Sequence, residues 1–371
     1  MRNIFESTDA FEAWMRKRTD VSKRLLKKKH GQMAEGPFPF LRSTFYRWTE
    51  QWPKVCPELA ERAEDVLLAV GDLHVANFGV WSDSRQRHVW GVNDFDEACE
   101  LAFTSDLVRL ATSALLAAAE AKIDVEANQV CEPLLAGYRA GLRSGQPILV
   151  GERHPALVTL TKRTQENPKA FWKKKLRAKD NPTVDARDLP RGLEDMFRAS
   201  FRPGAKLTFL EQRSPGGLGS LGRRRFTAVE TKKNAHEARE AKALVPSALY
   251  WCMKQDDMPS QTATLLQHAI RIPDPYFQVH DHWLIRQLAP DIAKIEMPYP
   301  RDKRLALAPD LLQLMGRETA NIHLGSHTNQ DLAERLSSLD RNERGWFPAA
   351  TGRMVACVRK DHSKWVERRH D

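Results

Sequence analysis

An Asp, an Asn five residues later and two further Asp beyond a short hairpin constrain this chain more than any other feature. They stand as Gly71-Asp72-Leu73-His74-Val75-Ala76-Asn77 and Asn93-Asp94-Phe95-Asp96. The apolar run Val66-Leu67-Leu68-Ala69-Val70 stops at Gly71 and reads as a short strand entering a loop. Phe78-Gly79-Val80-Trp81 and His88-Val89-Trp90-Gly91-Val92 read as two more strands, joined by the polar turn residues Ser82 to Arg87. Antiparallel pairing of these strands brings Asn77, at the hairpin entrance, beside Asp94 at its exit. If the second strand runs on, Asp96 shares a face with Asp94.

Phosphoryl transfer from a magnesium nucleotide needs this residue set. One carboxylate orients the attacking hydroxyl, and an amide oxygen with later carboxylates holds a hard metal ion that keeps few protein ligands. Asp72 is the catalytic candidate, and Asn77, Asp94 and Asp96 are the metal candidates. His74 either touches the reaction or packs beside the loop and orients Asp72. Adenylyl transfer uses the same metal site, so both chemistries stand open.

Gly71-Asp72-Leu73-His74 through Asn77, then Asp94-Phe95-Asp96, then Ser105-Asp106-Leu107-Val108-Arg109-Leu110 resemble the catalytic segment of aminoglycoside phosphotransferase and choline kinase relatives. Those proteins have protein-kinase-like folds. The resemblance implies ATP and Mg²⁺ as cofactors, Asp72 as catalytic carboxylate, and Asn77 and Asp94 as metal ligands. It also implies that Asp106 is a structural carboxylate that steadies the loop.

Gly217-Leu218-Gly219-Ser220-Leu221-Gly222 is a G-x-G-x-x-G segment. In a dinucleotide-binding unit the third Gly would open a helix. Here the approach Lys206 to Glu211 alternates like a strand, and Arg223 to Glu230 follows as another before a turn at Thr231-Lys232-Lys233-Asn234. Strand, glycine loop, strand is the kinase arrangement, in which backbone amides cover the phosphates. Gly217, Gly219, Ser220 and Gly222 are therefore nucleotide-binding candidates. Lys242 is the candidate for the third-strand lysine that pairs with phosphates, although His236 to Lys242 has the composition of a helix. Arg223-Arg224-Arg225 either face phosphates or decorate an exposed strand. Leu218 to Gly222 misses the nucleophile-elbow pattern by one glycine, which argues against a serine hydrolase.

The order is reversed relative to ordinary kinases, where the glycine loop and lysine come first. Tyr276-Phe277-Gln278-Val279 and Trp283 to Leu288, flanking the turn His280-Asp281-His282, resemble later strands of a kinase small lobe. Leu311 to His323 resembles the helix that normally precedes the catalytic loop. A circular permutation makes the order coherent, since new termini are tolerated on a surface. The expected class is thus α+β: a two-lobed, circularly permuted protein-kinase-like fold with a small antiparallel-sheet lobe and a larger, mainly helical lobe.

The whole pattern resembles an uncharacterised bacterial family, domain of unknown function 2252. Its markers are Gln32-Met33-Ala34, Pro37 to Arg42, the catalytic segment, Gly219 to Gly222, Lys242 to Ser247, and Ile285 to Leu288. One departure from kinases stands out. The stretch Gln261 to His268, where a helix would supply a glutamate to the lysine, contains no acid. Gln267, His268, Glu237 or Glu240 would have to substitute, or the chain binds nucleotide with weak turnover.

At 371 residues, with 42% hydrophobic residues, the chain has enough apolar material for more than one core. No secretory signal is read at the start, and the apolar run Leu107 to Ala119 is too short for a bilayer and carries Arg109, so it reads as a buried helix. The cysteines Cys56, Cys99, Cys131, Cys252 and Cys357 form no C-x-x-C pair; the expectation is a cytoplasmic protein without a zinc site. A net charge of +10 suggests an anionic partner or acceptor. Basic stretches at Arg16 to Lys29 and Lys162 to Lys179, the latter with Phe171 and Trp172, are ordinarily solvated helix faces, and nucleic-acid binding is the alternative. The expected division is an N-terminal helical arm (1–60), the catalytic part of the large lobe (61–200), the nucleotide lobe (201–295) and returning C-terminal helices (296–371). A connection between lobes is expected from Asn181-Pro182 to Pro190-Arg191-Gly192.

Overall fold

Helices begin where the sequence offers caps. Asn3 accepts hydrogen bonds from the N–H groups of Phe5 and Glu6 and starts α1 (Ile4–Arg16). Ser22 caps α2 (Lys23–Met33). There follow α3 (Pro37–Ser43), α4 (Phe45–Val55) and α5 (Pro57–Ala60). Phe11, Phe38, Phe40, Tyr46, Trp48 and Trp52 from these helices are buried in the main hydrophobic core. The basic residues Lys23, Arg24, Lys27 and Lys28 of α2 face water, while Leu25, Leu26, Lys29 and Met33 turn inward. The structure is a computed structural model, and it describes residues 2–151, 154–164, 167–213, 222–233, 235–290 and 308–368. Gly217, Gly219 and Ser220 lie outside the described residues.

Strand β1 (Val66–Ala69) leads into the loop at Gly71. Then β2 (Phe78–Ser82) and β3 (His88–Val92) form the expected hairpin, with Phe78 opposite Val92. β4 (Cys99–Ala102) returns to pair antiparallel with β1, so the acidic excursion is closed at its base. β3 ends at Val92, so Asp94 and Asp96 leave from a loop rather than from a continued strand. The apolar run becomes α6 (Phe103–Glu120), almost wholly buried. After it come α7 (Ala127–Ser144), β5 (Ile148–Leu149), which extends the hairpin beside β3, α8 (Pro155–Thr164) and α9 (Pro168–Lys175).

The larger sheet takes in β6 (Thr183–Val184), β7 (Leu207–Glu211), β8 (Arg225–Lys232), β9 (Ala235–Ala243), β10 (Gln278–His280) and β11 (Trp283–Leu288). Its order is β10-β11-β9-β8-β7-β6, antiparallel throughout. The stretch 181–192 is therefore partly an edge of this sheet. One face packs Phe209, Phe226, Ala241 and Ile285 against α10 (Leu193–Ala199). The other packs Leu210, Val229 and Ala238 against Trp172 and Leu176 at the end of α9. Phe171 is buried and Trp172 lies against His236, so these rings serve the sheet. Residues 236–242 are strand despite their helical composition, because β9 is paired over its length between β8 and β11. His280-Asp281-His282 is the expected tight turn, with Asp281 at a φ of 48°.

α11 (Ala248–Met253) and α12 (Thr262–His268) follow β9. Beyond the sheet, α13 (Pro309–His323), α14 (Asn329–Asn342) and α15 (Trp346–Glu367) rejoin the main core. α7 and α13 meet backbone to backbone through two glycines. A Cβ on Gly137 would lie 1.9 Å from the Gln313 carbonyl oxygen, and one on Gly316 would lie 2.0 Å from that of Leu134. α15 closes on the N-terminal helices: Phe5 stacks on Trp365, and Arg47 Nε lies 2.7 Å from Asp361 Oδ2. The chain is thus mixed α+β with small antiparallel sheets. Among the described residues no helix is long and apolar enough to cross a membrane.

Candidate active site

Three polar residues on one face of α6 hold the loop that carries Asp72. Asp106 accepts from the N–H groups of Val70 (2.8 Å) and Gly71 (2.9 Å). Arg109 donates to Asp72 Oδ1 from Nε (3.1 Å) and again from Nη2. Ser113 Oγ accepts from the Val75 N–H (3.0 Å). The spacing of three and four residues places all three on one stripe of the helix. Asp106 is itself fixed from behind by His323 Nε2 (3.2 Å), whose Nδ1 meets the Tyr138 hydroxyl (2.9 Å). Gly71 is required just before Asp72: its φ is 77°, and a Cβ there would lie 2.3 Å from the Glu97 carbonyl oxygen.

Arg109 is fully buried, rests on the rings of Phe45 and Trp48, and also donates to the Leu41 carbonyl (2.9 Å). Burial raises the Asp72 pKa to about 6, the Arg109 guanidinium opposes that rise, and the neighbouring Asp94 adds to it. His74 is buried edge-on to Phe38, and its N–H donates to Asn77 Oδ1 (2.6 Å). Asn77 therefore braces the loop with one lone pair of its amide oxygen.

The hairpin register, reinforced by the Asn93 N–H on the Asn77 carbonyl (3.0 Å), brings Asn77 to the segment bearing Asp94 and Asp96. Two acceptors in that segment, Asn93 Oδ1 and Asp96 Oδ1, are buried without a hydrogen-bond partner. Orphaned buried acceptors of this kind suit a hard cation. Among the described residues no three His, Cys, Asp or Glu side chains converge as a metal cage. Two carboxylates with amide oxygens match instead the sparse donor set that Mg²⁺ accepts.

The sheet delivers the opposing charge. Lys242 Nζ lies 3.2 Å from Asp94 Oδ1 and pairs also with Asp96 Oδ2. Lys242 is buried on β9, on the sheet face shared with Glu240 and, across the ladder, Arg225. Glu240 holds Arg225 (2.7 Å) and Arg286 (3.0 Å). Burial alone would raise Glu240, but Arg286, Arg225 and Lys175 hold it well below the usual carboxylate range. Glu240 thus does not partner Lys242. Glu237 does not either, since it binds Arg239 (2.7 Å), and His268 Nδ1 meets the Thr264 carbonyl. The acids that meet the lysine come from the hairpin.

Arg223 adds a further link, 3.4 Å from both Asp96 and Glu97. Arg223 and Arg225 are buried, so they do not decorate an exposed strand. Gly222 ends the glycine segment at a φ of 111°, and its carbonyl accepts from the Ser22 N–H (2.9 Å), tying the segment to the start of α2. Burial pushes Glu97 up to about 7 against the pull of Arg223; its second oxygen caps α11 at the Ala248 N–H (2.7 Å). Lys29 of α2 is buried beside this group. Burial lowers its pKa to about 8, with Glu12, Glu97 and Asp72 opposing and Arg223 adding to the fall.

Of the residues singled out in the sequence, Lys242 meets Asp94 and Asp96 directly, Asp94 neighbours Asp72, and His74 and Asn77 brace the Asp72 loop. Arg109, Glu97 and Lys29 are not singled out in the sequence as site residues, whereas Arg223 stands open there between facing phosphates and decorating a strand. Arg109 and Ser113 carried a readable signal, polar residues at helical spacing from Asp106 inside an apolar run. Lys29 carried none, hidden in a basic stretch.

Residues 21–179 match the model of a family described as an uncharacterized protein conserved in bacteria (DUF2252). The match takes in α2, the Asp72 loop, the acidic hairpin and α6, and stops before β8 and β9. The comparison with curated proteins gives no match, and neither does that with solved structures.

Proposed function

We propose that this protein is an ATP- and Mg²⁺-dependent phosphotransferase on a two-lobed, circularly permuted protein-kinase-like fold. The observation that carries the reading is the meeting of Lys242 with Asp94 and Asp96, elements more than a hundred residues apart in sequence. Asp72 orients the acceptor hydroxyl and takes its proton, and Arg109 fixes the direction of that carboxylate. Asp94, Asp96 and the amide oxygen of Asn77 would hold magnesium, with Asn93 as a further oxygen donor. Lys242 would release its carboxylates to the metal and take a nucleotide phosphate. When bound, the magnesium nucleotide supplies the activated phosphoryl group. The segment ending at Gly222 would cover the phosphates. The acceptor is a hydroxyl compound, and the basic balance of the chain favours an anionic one.

The contacts after α13 support the permutation. Ser326 Oγ accepts from the Leu68 N–H (3.2 Å), and His327 Nε2 meets the Val66 carbonyl (3.1 Å). The end of that helix thus lies against the strand that enters the catalytic loop, as an unpermuted kinase chain would run.

A second reading, a nucleotide-binding regulator with weak turnover, draws on one observation: among the described residues the partners of Lys242 are the proposed metal-binding acids themselves, with no helix glutamate among them. Labelled ATP separates the two. Incubated with magnesium and a cell extract, the wild-type protein should pass the γ-phosphate to an acceptor, and Asp72→Asn should do so about 10²–10⁴ times more slowly. Nucleotide binding with no transfer in either protein would support the regulator. Equal transfer by both would remove Asp72 from its assigned role.

A further inference from the structure

The loop Asp72 to Asn77 contains no lysine or arginine. A transferring phosphoryl group spreads charge over its outer oxygens, and a cation near them is a recurring requirement. The cations already described are each engaged: Arg109 with Asp72, Lys242 with Asp94 and Asp96, Arg223 with Asp96 and Glu97. Lys29 is different. It is 2% exposed, its ammonium lies over the Tyr46 ring at 5.6 Å, and among the described residues no hydrogen bond or ion pair reaches it.

A buried ammonium without an ion pair is costly, and proteins keep one mainly where something will meet it. The charges that act on Lys29 are those of Glu12 on α1, Arg223, Glu97 and Asp72, three of them in the candidate active site. α2 is also anchored to the glycine segment: Val21 bridges Arg223, and the Ser22 N–H binds the Gly222 carbonyl. The helix carrying Lys29 therefore starts beside Gly222 and Arg223, and Arg223 in turn pairs with Asp96 and Glu97.

We propose that Lys29 is the cation that receives the terminal phosphoryl group of the bound nucleotide, delivered by the N-terminal helix α2 rather than by the catalytic loop. This rests on the phosphotransferase reading and adds a residue to it. An oxyanion of that group would give Lys29 the partner it lacks, a charge-assisted hydrogen bond between ammonium and phosphate.

The test uses the full chain and three probes: magnesium with a non-hydrolysable ATP analogue, magnesium ADP, and inorganic tripolyphosphate. Calorimetric titration compares wild type, Lys29→Met and Lys29→Arg. Lys29→Met should weaken the ATP analogue and tripolyphosphate about tenfold or more and leave ADP within about twofold, while Lys29→Arg keeps most of the affinity. Without ligand, Lys29→Met should melt no lower than wild type, since it removes a charge that has no partner. A wild type that binds the analogue, with Lys29→Met binding it equally well, would overturn the role of Lys29 and leave the phosphotransferase reading standing. An equal loss for ADP would overturn the assignment to the terminal group. A wild type that binds none of the probes would remove both readings together. A ligand-free Lys29→Met that melts well below wild type, with probe affinities unchanged, would make Lys29 a structural residue.

Discussion

Arg109 grips Asp72 from inside a helix that is almost wholly buried. The guanidinium is fully buried, its Nε lies 3.1 Å from Asp72 Oδ1, and the carboxylate remains 14% exposed. A catalytic carboxylate is thereby held in one direction by a residue that never needs to touch substrate.

That arrangement couples the stabilities of the two residues. Arg109→Met should cost about 3–5 kcal/mol, because Asp72 is left without its counter-charge and the Leu41 carbonyl without its donor. Asp72→Asn should cost less, as its amide oxygen can still accept. The double variant should be more stable than the sum of the two losses, by about 1 kcal/mol or more. Urea unfolding of the four proteins measures this. Strict additivity would mean that the pair is not coupled.

Asp106 should behave as a scaffold for the loop. It touches no reacting group, yet three donors converge on it. Asp106→Ala should lower stability by roughly 3 kcal/mol or more, since buried N–H groups at Val70 and Gly71 are orphaned, and it should abolish turnover in the fraction that folds. An active Asp106→Ala protein of wild-type stability would show that the loop is held by something else.

Lys242 competes with a cation for Asp94 and Asp96. Lys242→Met should therefore bind Mn²⁺ alone more tightly than wild type, by about tenfold, while weakening the metal–nucleotide complex. Electron paramagnetic resonance of free Mn²⁺ reads the first effect. Weaker binding of the bare ion by Lys242→Met would contradict the proposed exchange of partners.

Activity and stability should respond to pH in opposite directions. Turnover needs Asp72 as a carboxylate, so it should rise as pH passes upward through about 6. Glu318 is pushed up to about 7 by burial, with Arg271 opposing. A carboxyl raised on folding stabilises fully below its ordinary range near 4, and that contribution is lost as pH climbs through about 7. Glu318→Gln removes the titration, so its melting temperature relative to wild type should rise between pH 5 and 8. A difference that is constant or falls with pH would contradict the assignment.

Much of the site was legible because its residues sit at fixed offsets along the chain. A strand, a glycine, an Asp, an Asn and a two-strand hairpin give local geometry that spacing alone can place, and the register of Phe78 on Val92 matches it. The tight turn at Asp281 was readable for the same reason. Long-range charge pairing was not. Composition alone points residues 236–242 toward a helix, and only the pairing of β9 between two neighbours makes them strand. Lys29 looks like a surface charge in a basic run, because nothing local says that this side of α2 turns inward. The segment from 214 to 221 lies outside the described residues, so the glycine pattern remains a reading of sequence.

In the proposed function the acidic hairpin and the Lys242 strand close on one magnesium nucleotide. The most direct test is calorimetric titration of magnesium with a non-hydrolysable ATP analogue into wild type, Asp94→Asn and Lys242→Met. Wild type should show one site per chain, and each variant at least tenfold weaker binding. No binding by wild type, or binding that neither substitution alters, would contradict it.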